Sequence, residues 1–523
     1  MSETRTHGGG AQRPGAATGS GAGKPRLPLG WLTGIATVAL GLLVLVEAIN
    51  IALYDPWTDE VFLFSLVGVL ADVEIGTLSV LMFGSLLVLL AFGLPLAFVT
   101  GSLGAVFMVL VGDEAMLNII PTRIFPLMTN YQLSAIPLFI FMASMLEKAG
   151  LIDEMFDVVY KWMGGFHGGL AAATIIASTV LAAMVGVIGA AVVTMGIIAL
   201  PAMLKRKYDP KIAMGSIMAG GTLGILIPPS ILAIIYAVVA QQSVGELYVG
   251  SVLPGLLLSG MYIAYVAIRC AIDPKKGPAL PVEERASFGE KLRLLRRMLA
   301  PIILVVLVLG VIFSGAATPV EAAAIGSFGA MVVAALHGRL TWLSLRDATI
   351  GTMKATAMVL WIIFGATVFV GFYILRGGQD FVTDLIMGMG LDPYGVLILM
   401  NIILVFLGMF LDWVGILLLA VPIFIPIIQA LTFGGVMGLP GVAPEDVMLW
   451  FGVIYLVNMQ MSFLSPPFGY ALFYLRGVAP REIPTSSIFK ASLAFLALQV
   501  VGLAVIILFP GIALWLPRLV YGN

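Results

Sequence analysis

Long apolar stretches without a charged residue alternate with short charged loops along most of this chain. A membrane-spanning helix needs about 20 consecutive apolar residues, and most of the stretches reach that length. The charge-free runs lie at 75–112, 124–146, 168–204, 212–245, 247–268, 298–320, 355–375, 393–411, 413–444, 447–475 and 491–517. With a further hydrophobic stretch at 31–53, this pattern predicts about twelve to fourteen membrane-embedded segments in an all-α, polytopic integral membrane protein.

The composition excludes an ordinary soluble fold. Hydrophobic residues make up 60% of the chain and charged residues 11%, whereas soluble proteins carry about 25% charged residues. We therefore expect membrane lipid around the protein. The net charge is −1, and the binding of nucleic acid requires a basic patch. No nucleic acid partner is predicted.

Side chains that could carry out catalysis are scarce. Cys270 is the single cysteine and the histidines are His7, His167 and His337, which excludes an intramolecular disulfide and a zincin motif. Residues 19–25 lack the spacing of a phosphate-binding loop. We expect neither an enzyme nor a bound organic cofactor.

Basic residues are concentrated in the N-terminal tail, in the loop 205–211 and in the linker 269–298. The positive-inside rule places such loops in the cytoplasm. We expect residues 1–30 to form a disordered cytoplasmic tail. Residues 31–76 are interpreted as an extension with one additional transmembrane helix that is retained in the mature protein.

The basic linker 269–298 divides the remaining chain into a first half, 77–268, and a second half, 299–523. Each half contains apolar runs that are longer than one span but mostly too short for two, which is typical of re-entrant hairpins and broken helices. We predict hairpins at about 168–204 and 395–430, and broken helices at about 212–245 and 447–475.

Both predicted broken helices contain a proline pair. Two adjacent prolines remove two backbone donors and interrupt a helix, and open backbone at membrane depth is tolerated only inside protein or beside a cavity. A matched pair of interrupted segments, one in each half, indicates a transporter binding site formed by an inverted repeat. The alternative interpretation is a proline kink that serves helix packing alone.

The candidate binding residues follow from these interruptions. In the first half, the glycines permit close approach of backbone segments, hydroxyl groups are available as ligands, and the prolines leave carbonyl groups without a hydrogen-bond donor. These candidates are Gly220, Gly221, Thr222, Gly224, Pro228, Pro229 and Ser230. In the second half, the predicted interruption contains Asn458, Gln460, Ser465, Pro466, Pro467 and Gly469. Gly186 and Gly189 would let the tip of the first hairpin meet the broken helix, although small residues also serve ordinary helix packing.

Asp412 is an isolated carboxylate within an apolar stretch. No other charged residue occurs between Asp392 and Glu445, and a carboxylate at membrane depth costs roughly 2.5–3.5 kcal/mol. Asp412 is therefore a candidate sodium ligand, and the alternative is an aspartate that caps a broken helix. Glu321 is assigned to structure, because Thr318, Pro319 and Glu321 have the spacing of a capping box.

Four segments together resemble the DctM-like large permease subunit of tripartite ATP-independent periplasmic (TRAP) transporters, over roughly residues 77–520. They are 220–230, 317–324, 408–422 and 465–469. The resemblance implies an elevator-type transporter of a bacterial inner membrane that imports a small organic acid with sodium as the coupling ion. It also implies two partners: a small four-helix, DctQ-like membrane subunit and a periplasmic substrate-binding protein.

Two features depart from the common pattern of that family. The first hairpin tip, 184–191, lacks the serines that many members carry, and with 468–477 it is similar to the mannitol/chloroaromatic branch. The extension 31–76 is too short for a fused small subunit. The alternatives are a single-component sodium-coupled carboxylate carrier of similar architecture and an intramembrane enzyme, although the latter lacks a paired nucleophile and base.

Overall fold

A computed structural model describes residues 70–522, except for 113, 187, 282–284, 286, 436–438, 440 and 468. Within these residues every regular element is a helix. The predicted tail 1–30 lies outside the described residues, as does the extension 31–76 up to residue 69. The all-helical fold predicted from the sequence is confirmed for the described part.

Ten α-helices precede the basic linker within the part of the chain that the structure describes. They are α1 (Ile75–Ala91), α2 (Leu96–Val111), α3 (Ile119–Met128), α4 (Ala135–Lys148), α5 (Leu151–Met163), α6 (Gly169–Val185), α7 (Ile188–Lys205), α8 (Pro210–Thr222), α9 (Ile231–Ala240) and α10 (Val244–Ile272). Helices α6 and α7 occupy the range of the predicted first hairpin. Helices α8 and α9 occupy the range of the first broken helix.

Ten further α-helices follow among the described residues from 288 onward. They are α11 (Phe288–Phe313), α12 (Pro319–Leu336), α13 (Trp342–Leu375), α14 (Gly378–Met387), α15 (Pro393–Gly408), α16 (Trp413–Ala430), α17 (Val447–Leu464), α18 (Tyr470–Val478), α19 (Thr485–Leu508) and α20 (Gly511–Tyr521). Helices α15 and α16 occupy the range of the second hairpin, and α17 and α18 that of the second broken helix.

Seven of the described helices are long and apolar enough to cross a membrane, and the number rises to nine if two sharply bent helix pairs each count as one span. Shorter apolar helices of 10–17 residues accompany them. These short helices include α6, α9 and α15, which belong to the hairpins and broken segments.

The hairpins and broken segments make contacts between the two halves that come in equivalent pairs, in which the halves exchange roles. Helix α7 of the first hairpin packs on α18, and α16 of the second hairpin packs on α9. Likewise α8 packs on α19, and α17 packs on α10. Two repeats related by an internal two-fold axis would produce this exchange, as in transporters built from inverted repeats.

The remaining helices form a second packing group. Helix α13, the longest, lies against α2, α4 and α3, and α12 packs between α4 and α11. This group contacts the hairpins mainly where α13 meets α16 and where α4 meets α6. The hairpins and broken segments, with α10 and α19, thus form one packing group, here called the repeat unit, which the second group flanks.

Two polypeptide segments connect the groups near the base of the first hairpin. Helix α5 leads directly into α6, and the linker binds the same region through backbone bonds from Gly168 N–H to Gly277 O (2.8 Å) and from Asp209 N–H to Lys276 O (2.9 Å). The N–H of Leu170 donates to the Tyr208 hydroxyl (3.2 Å). Burial raises the pKa of Tyr208 to about 12, so this acceptor stays protonated at physiological pH.

The predicted capping box at the start of α12 is confirmed. The hydroxyl of Thr318 accepts a hydrogen bond from the backbone N–H of Glu321 (3.3 Å), while the Glu321 carboxylate accepts from the backbone N–H of Thr318 (2.7 Å). Each side chain satisfies a donor that the first turn of a helix leaves free.

Candidate functional site

The tip of the first hairpin touches the first broken helix. Gly186, which joins α6 to the residue before α7, has φ of +60°, a backbone region that favours glycine. A methyl group at this position would lie 2.6 Å from the carbonyl oxygen of Pro229. Gly186 thus allows the tip to approach the open backbone of the break, as the sequence suggests.

The first break is shorter than the sequence predicts. Helix α8 continues to Thr222, a short 3₁₀ turn follows at Leu223–Ile225, and α9 begins at Ile231. The open backbone is therefore confined to about 223–230, which includes the buried Gly224 and the pair Pro228–Pro229, joined by a cis peptide bond.

Gly220 and Gly221 lie in the last turn of α8, where they serve helix packing. A methyl group on Gly220 would lie 2.8 Å from Cβ of Ser178 in α6, and one on Gly221 would overlap Val192 in α7. The hydroxyl of Thr222 donates to the carbonyl of Ala219 (2.9 Å). These residues fix α8 between the two helices of the hairpin.

Ser230 forms the start of α9. Its hydroxyl accepts from the N–H of Ala233 (3.3 Å) and donates to the carbonyl of Ile225 on the other side of the break. Its own carbonyl accepts from the hydroxyl of Tyr248 in α10 (3.2 Å). Ser230 therefore caps α9 and ties the break to its neighbour.

The second break is also shorter than predicted, because α17 continues to Leu464. Asn458 and Gln460 consequently lie inside a helix and are fully buried. The amide nitrogen of Asn458 donates to the backbone carbonyl (3.0 Å) and side-chain oxygen (2.8 Å) of Asn401 in α15. Both polar atoms of the Gln460 amide lack a partner within the described residues.

The open backbone of the second half begins at Ser465, after the end of α17, and Gly469 directly precedes α18. The hydroxyl of Ser465 donates to the carbonyl of Met461 (2.8 Å), and a cis peptide bond joins Pro466 to Pro467. A methyl group on Gly469 would lie 2.5 Å from the carbonyl oxygen of Phe463 and 2.8 Å from that of Ser465. Two carbonyl oxygens thus converge beside Gly469.

Asp412 is the N-cap of α16. One carboxylate oxygen accepts from the N–H of Val414 (3.3 Å), and the side chain is partly buried at the tip of the second hairpin. Tyr455 lies next to this cap, because its hydroxyl donates to the backbone carbonyl of Trp413 (3.5 Å), and Tyr470 and Tyr474 lie close enough for the Asp412 charge to act on them. The capping alternative from the sequence is thus observed, and the cap lies in the neighbourhood of these tyrosines.

Tyr474 connects the two halves. A methyl group on Gly189, in the first turn of α7, would lie 3.1 Å from the Tyr474 ring, so this one side chain lies near both hairpin tips. Tyr236 of α9 stacks on Tyr455 of α17, with ring centroids 5.7 Å apart. Sequence reasoning missed these tyrosines, because an aromatic residue in an apolar run gives no signal of its own.

Each hairpin tip or break joins the C-terminus of one helix to the N-terminus of the next. Helices α6, α8, α15 and α17 end there, and α7, α9, α16 and α18 begin there. Helix N-termini carry partial positive charge and C-termini partial negative charge. The arrangement can therefore hold an anion at the N-termini and cations at the freed carbonyls.

A family model described as "Tripartite ATP-independent periplasmic transporter, DctM component" matches residues 83–512 of the chain. A C4-dicarboxylate TRAP transporter large permease protein, DctM, from Pseudomonas aeruginosa is 32% identical over 397 residues, which cover 76% of this chain and 88% of that protein. An isethionate TRAP transporter permease protein, DctMQ, from Oleidesulfovibrio alaskensis is 28% identical over 83% of this chain and 65% of that protein.

A solved structure shares the fold. The YdaH transporter from Alcanivorax borkumensis, described as having an unusual topology, superposes with a TM-score of 0.56 at 14% identity. The match covers 82% of this chain and 98% of that chain. At this level of identity the similarity concerns the architecture alone.

Proposed function

The chain belongs to the family of DctM components of TRAP transporters, and we propose that it imports a small organic acid together with sodium ions. It is a large permease subunit, a multi-pass protein of the inner membrane and not an enzyme. The observation that carries the proposal is that each half supplies a hairpin and a broken helix, and that these pack across the halves, α7 on α18 and α16 on α9.

The proposed substrate class is a small organic anion. The two relatives described above are named for C4-dicarboxylate and isethionate transport. The N-termini of α9 and α18 would offer backbone N–H groups and positive helix ends to a carboxylate. Tyr474 would contribute a hydroxyl and an aromatic ring between the tips.

Sodium is the proposed coupling ion. It is a hard cation that prefers oxygen ligands, and the backbone carbonyls of broken helices together with an isolated carboxylate such as Asp412 are ligands of that kind. In the second half the candidate ligands are Asp412 and the carbonyls near Gly469. In the first half they are backbone oxygens around Gly186 and Pro229, since this tip carries no serine.

The proposed partners are a small four-helix, DctQ-like membrane subunit and a periplasmic binding protein that delivers the substrate. The DctMQ relative supports the small membrane subunit as a partner. This chain covers 65% of that protein's length, so about a third of the DctMQ protein lies outside the match. An elevator movement of the repeat unit against the α2–α4 and α11–α13 group is proposed, with α5 and the linker as the connecting arms.

Uptake measurements in proteoliposomes test this proposal. The chain is reconstituted alone, with the small subunit, and with both the small subunit and the binding protein, and uptake of a labelled C4-dicarboxylate and of labelled isethionate is followed under an inward sodium gradient. We expect uptake only in the complete system. Robust uptake by the chain alone would instead identify a single-component carrier, and no uptake of any organic anion by the complete system would contradict the substrate class.

A further inference from the structure

Helix α11 begins with a basic segment that is bent away from its spanning part. Residues 289–296 and 298–313 meet at an angle of 51°. Pro301 accounts for the bend, because proline lacks the N–H that would bond to the carbonyl four residues earlier, and its ring clashes with that carbonyl. The first two turns of α11 therefore run at an angle to the spanning helix and do not continue it.

The inner face of this segment packs on α5. The indole N–H of Trp162 donates to the backbone carbonyl of Lys291 (3.2 Å). In return the Lys291 ammonium donates to the carbonyl of Trp162 (3.4 Å) and lies 5.8 Å from the centre of its ring. Lys161 and Glu290 form an ion pair (2.9 Å). These contacts determine which face of the segment is turned away from the protein.

The outward face carries leucines and arginines side by side. Leu292 and Arg296 are one helical turn apart on the same stripe, Arg293 borders it, and Leu299 follows just after the bend. All four side chains are exposed, the two leucines by 48% and 45%. Neither arginine has an acidic partner among the residues that the structure describes. Two cations and two large apolar groups thus share one open surface, here called the basic stripe.

We propose that the basic stripe lies in the headgroup region of the membrane and binds anionic phospholipid. Water is unfavourable for the leucines and hydrocarbon is unfavourable for the arginines, whereas the interface accommodates both kinds of side chain. The arginines select an anionic headgroup, because a guanidinium binds a phosphate group through paired, charge-assisted hydrogen bonds. The neighbouring Trp162 ring, 39% exposed, is of the kind that is enriched at this level of a membrane.

The distance to the membrane core favours lipid over an acidic protein as the partner. Leu292 precedes Leu299 by seven residues, which is about 10 Å along a helix, and Leu299 lies at the start of the spanning part. The polar region on each side of a bilayer is roughly 5–8 Å thick. The basic stripe therefore reaches headgroup depth without any movement of α11. An acidic protein surface would match the arginines but would leave the leucines without an apolar partner.

Native mass spectrometry of the full chain in detergent tests the headgroup preference. Phosphatidylglycerol and phosphatidylethanolamine with identical acyl chains are offered at equal concentration, and the lipid adducts are counted. We expect phosphatidylglycerol adducts to exceed phosphatidylethanolamine adducts several-fold. The double variant Arg293→Gln, Arg296→Gln should lower this ratio at least threefold. The matched variant Lys205→Gln, Lys211→Gln removes two exposed cations from another basic loop and should leave the ratio unchanged. Equal adducts of both lipids, or an equal fall in both variants, would overturn the proposal.

A photoreactive probe tests where the basic stripe lies. Cys270 is fully buried, so a benzophenone maleimide can be attached selectively to Leu292→Cys. The labelled chain is reconstituted with the small subunit in vesicles that contain phosphatidylglycerol, and the crosslinked products are identified by mass spectrometry after illumination. We expect crosslinks to lipid, as from Leu307→Cys in the spanning part of α11, where Leu307 is also exposed. No lipid crosslink from position 292, or a crosslink to the small subunit or to a second copy of the chain, would contradict the proposal.

Discussion

Asp412 has a structural task that does not require its negative charge. An asparagine caps a helix about as well as an aspartate does, so the hydrogen bond to Val414 N–H survives the loss of charge. Asp209 provides a matched comparison, since it caps α8 through a bond from the N–H of Lys211 (2.8 Å) and lies outside the candidate site.

We expect Asp412→Asn to raise the sodium concentration needed for half-maximal uptake at least tenfold and to leave expression and thermal stability close to those of the unchanged protein. Asp209→Asn should leave both the sodium titration and stability unaltered. The sodium titration of uptake in proteoliposomes measures this. An unchanged titration in Asp412→Asn would show that the carboxylate is a cap alone.

The sequence singles out Asp412 because a charge in an apolar run is conspicuous on energetic grounds. Tyr474 and Asn401 carry no such signal: tyrosine is common in apolar cores, and one amide in a span is compatible with packing. Their roles depend on contacts with residues far away in the chain, Gly189 for Tyr474 and Asn458 for Asn401. Such contacts become visible only with the fold.

Proline pairs locate the two broken helices, because the loss of two backbone donors is a local property of the chain. The extent of each break is not local. Gly220 and Gly221 stay helical because close packing against α6 and α7 outweighs the low helix propensity of glycine. Asn458 stays helical because Asn401 satisfies its amide nitrogen. Both effects come from neighbouring helices, so the sequence predicts breaks that are too long.

The contact between α7 and α8 yields a prediction at Gly221. A methyl group there overlaps Cγ2 of Val192, and overpacking of this kind costs roughly 1–3 kcal/mol. We expect Gly221→Ala to lower the midpoint of thermal unfolding, measured on the purified protein by intrinsic fluorescence. Gly84→Ala, at a helical glycine with open space around it, should not lower it.

Val192→Ala supplies the compensating change. It removes the overlapping methyl group, so the double variant should be more stable than the sum of the two single changes predicts, as expected for residues in contact. Strict additivity of the three variants would contradict the close approach of α7 and α8 at this position.

Crossed packing of the two halves is the property of the whole molecule on which the proposed transport mechanism rests. The similarity of the halves is readable from the paired interruptions, but the contacts of α7 with α18 and of α16 with α9 are not, since they join segments more than 100 residues apart. This crossing brings both hairpin tips to Tyr474. It makes a single substrate site between two ion sites geometrically reasonable.

Sodium-driven import by this crossed site is the central claim, and concentrative uptake under a defined ion gradient tests it most directly. Proteoliposomes with the chain, the small subunit and the loaded binding protein are given an inward sodium gradient without ATP and without a proton gradient. We expect the labelled organic acid to accumulate against its own gradient and to leave again when the sodium gradient is collapsed. Accumulation that is the same when potassium replaces sodium would contradict the account.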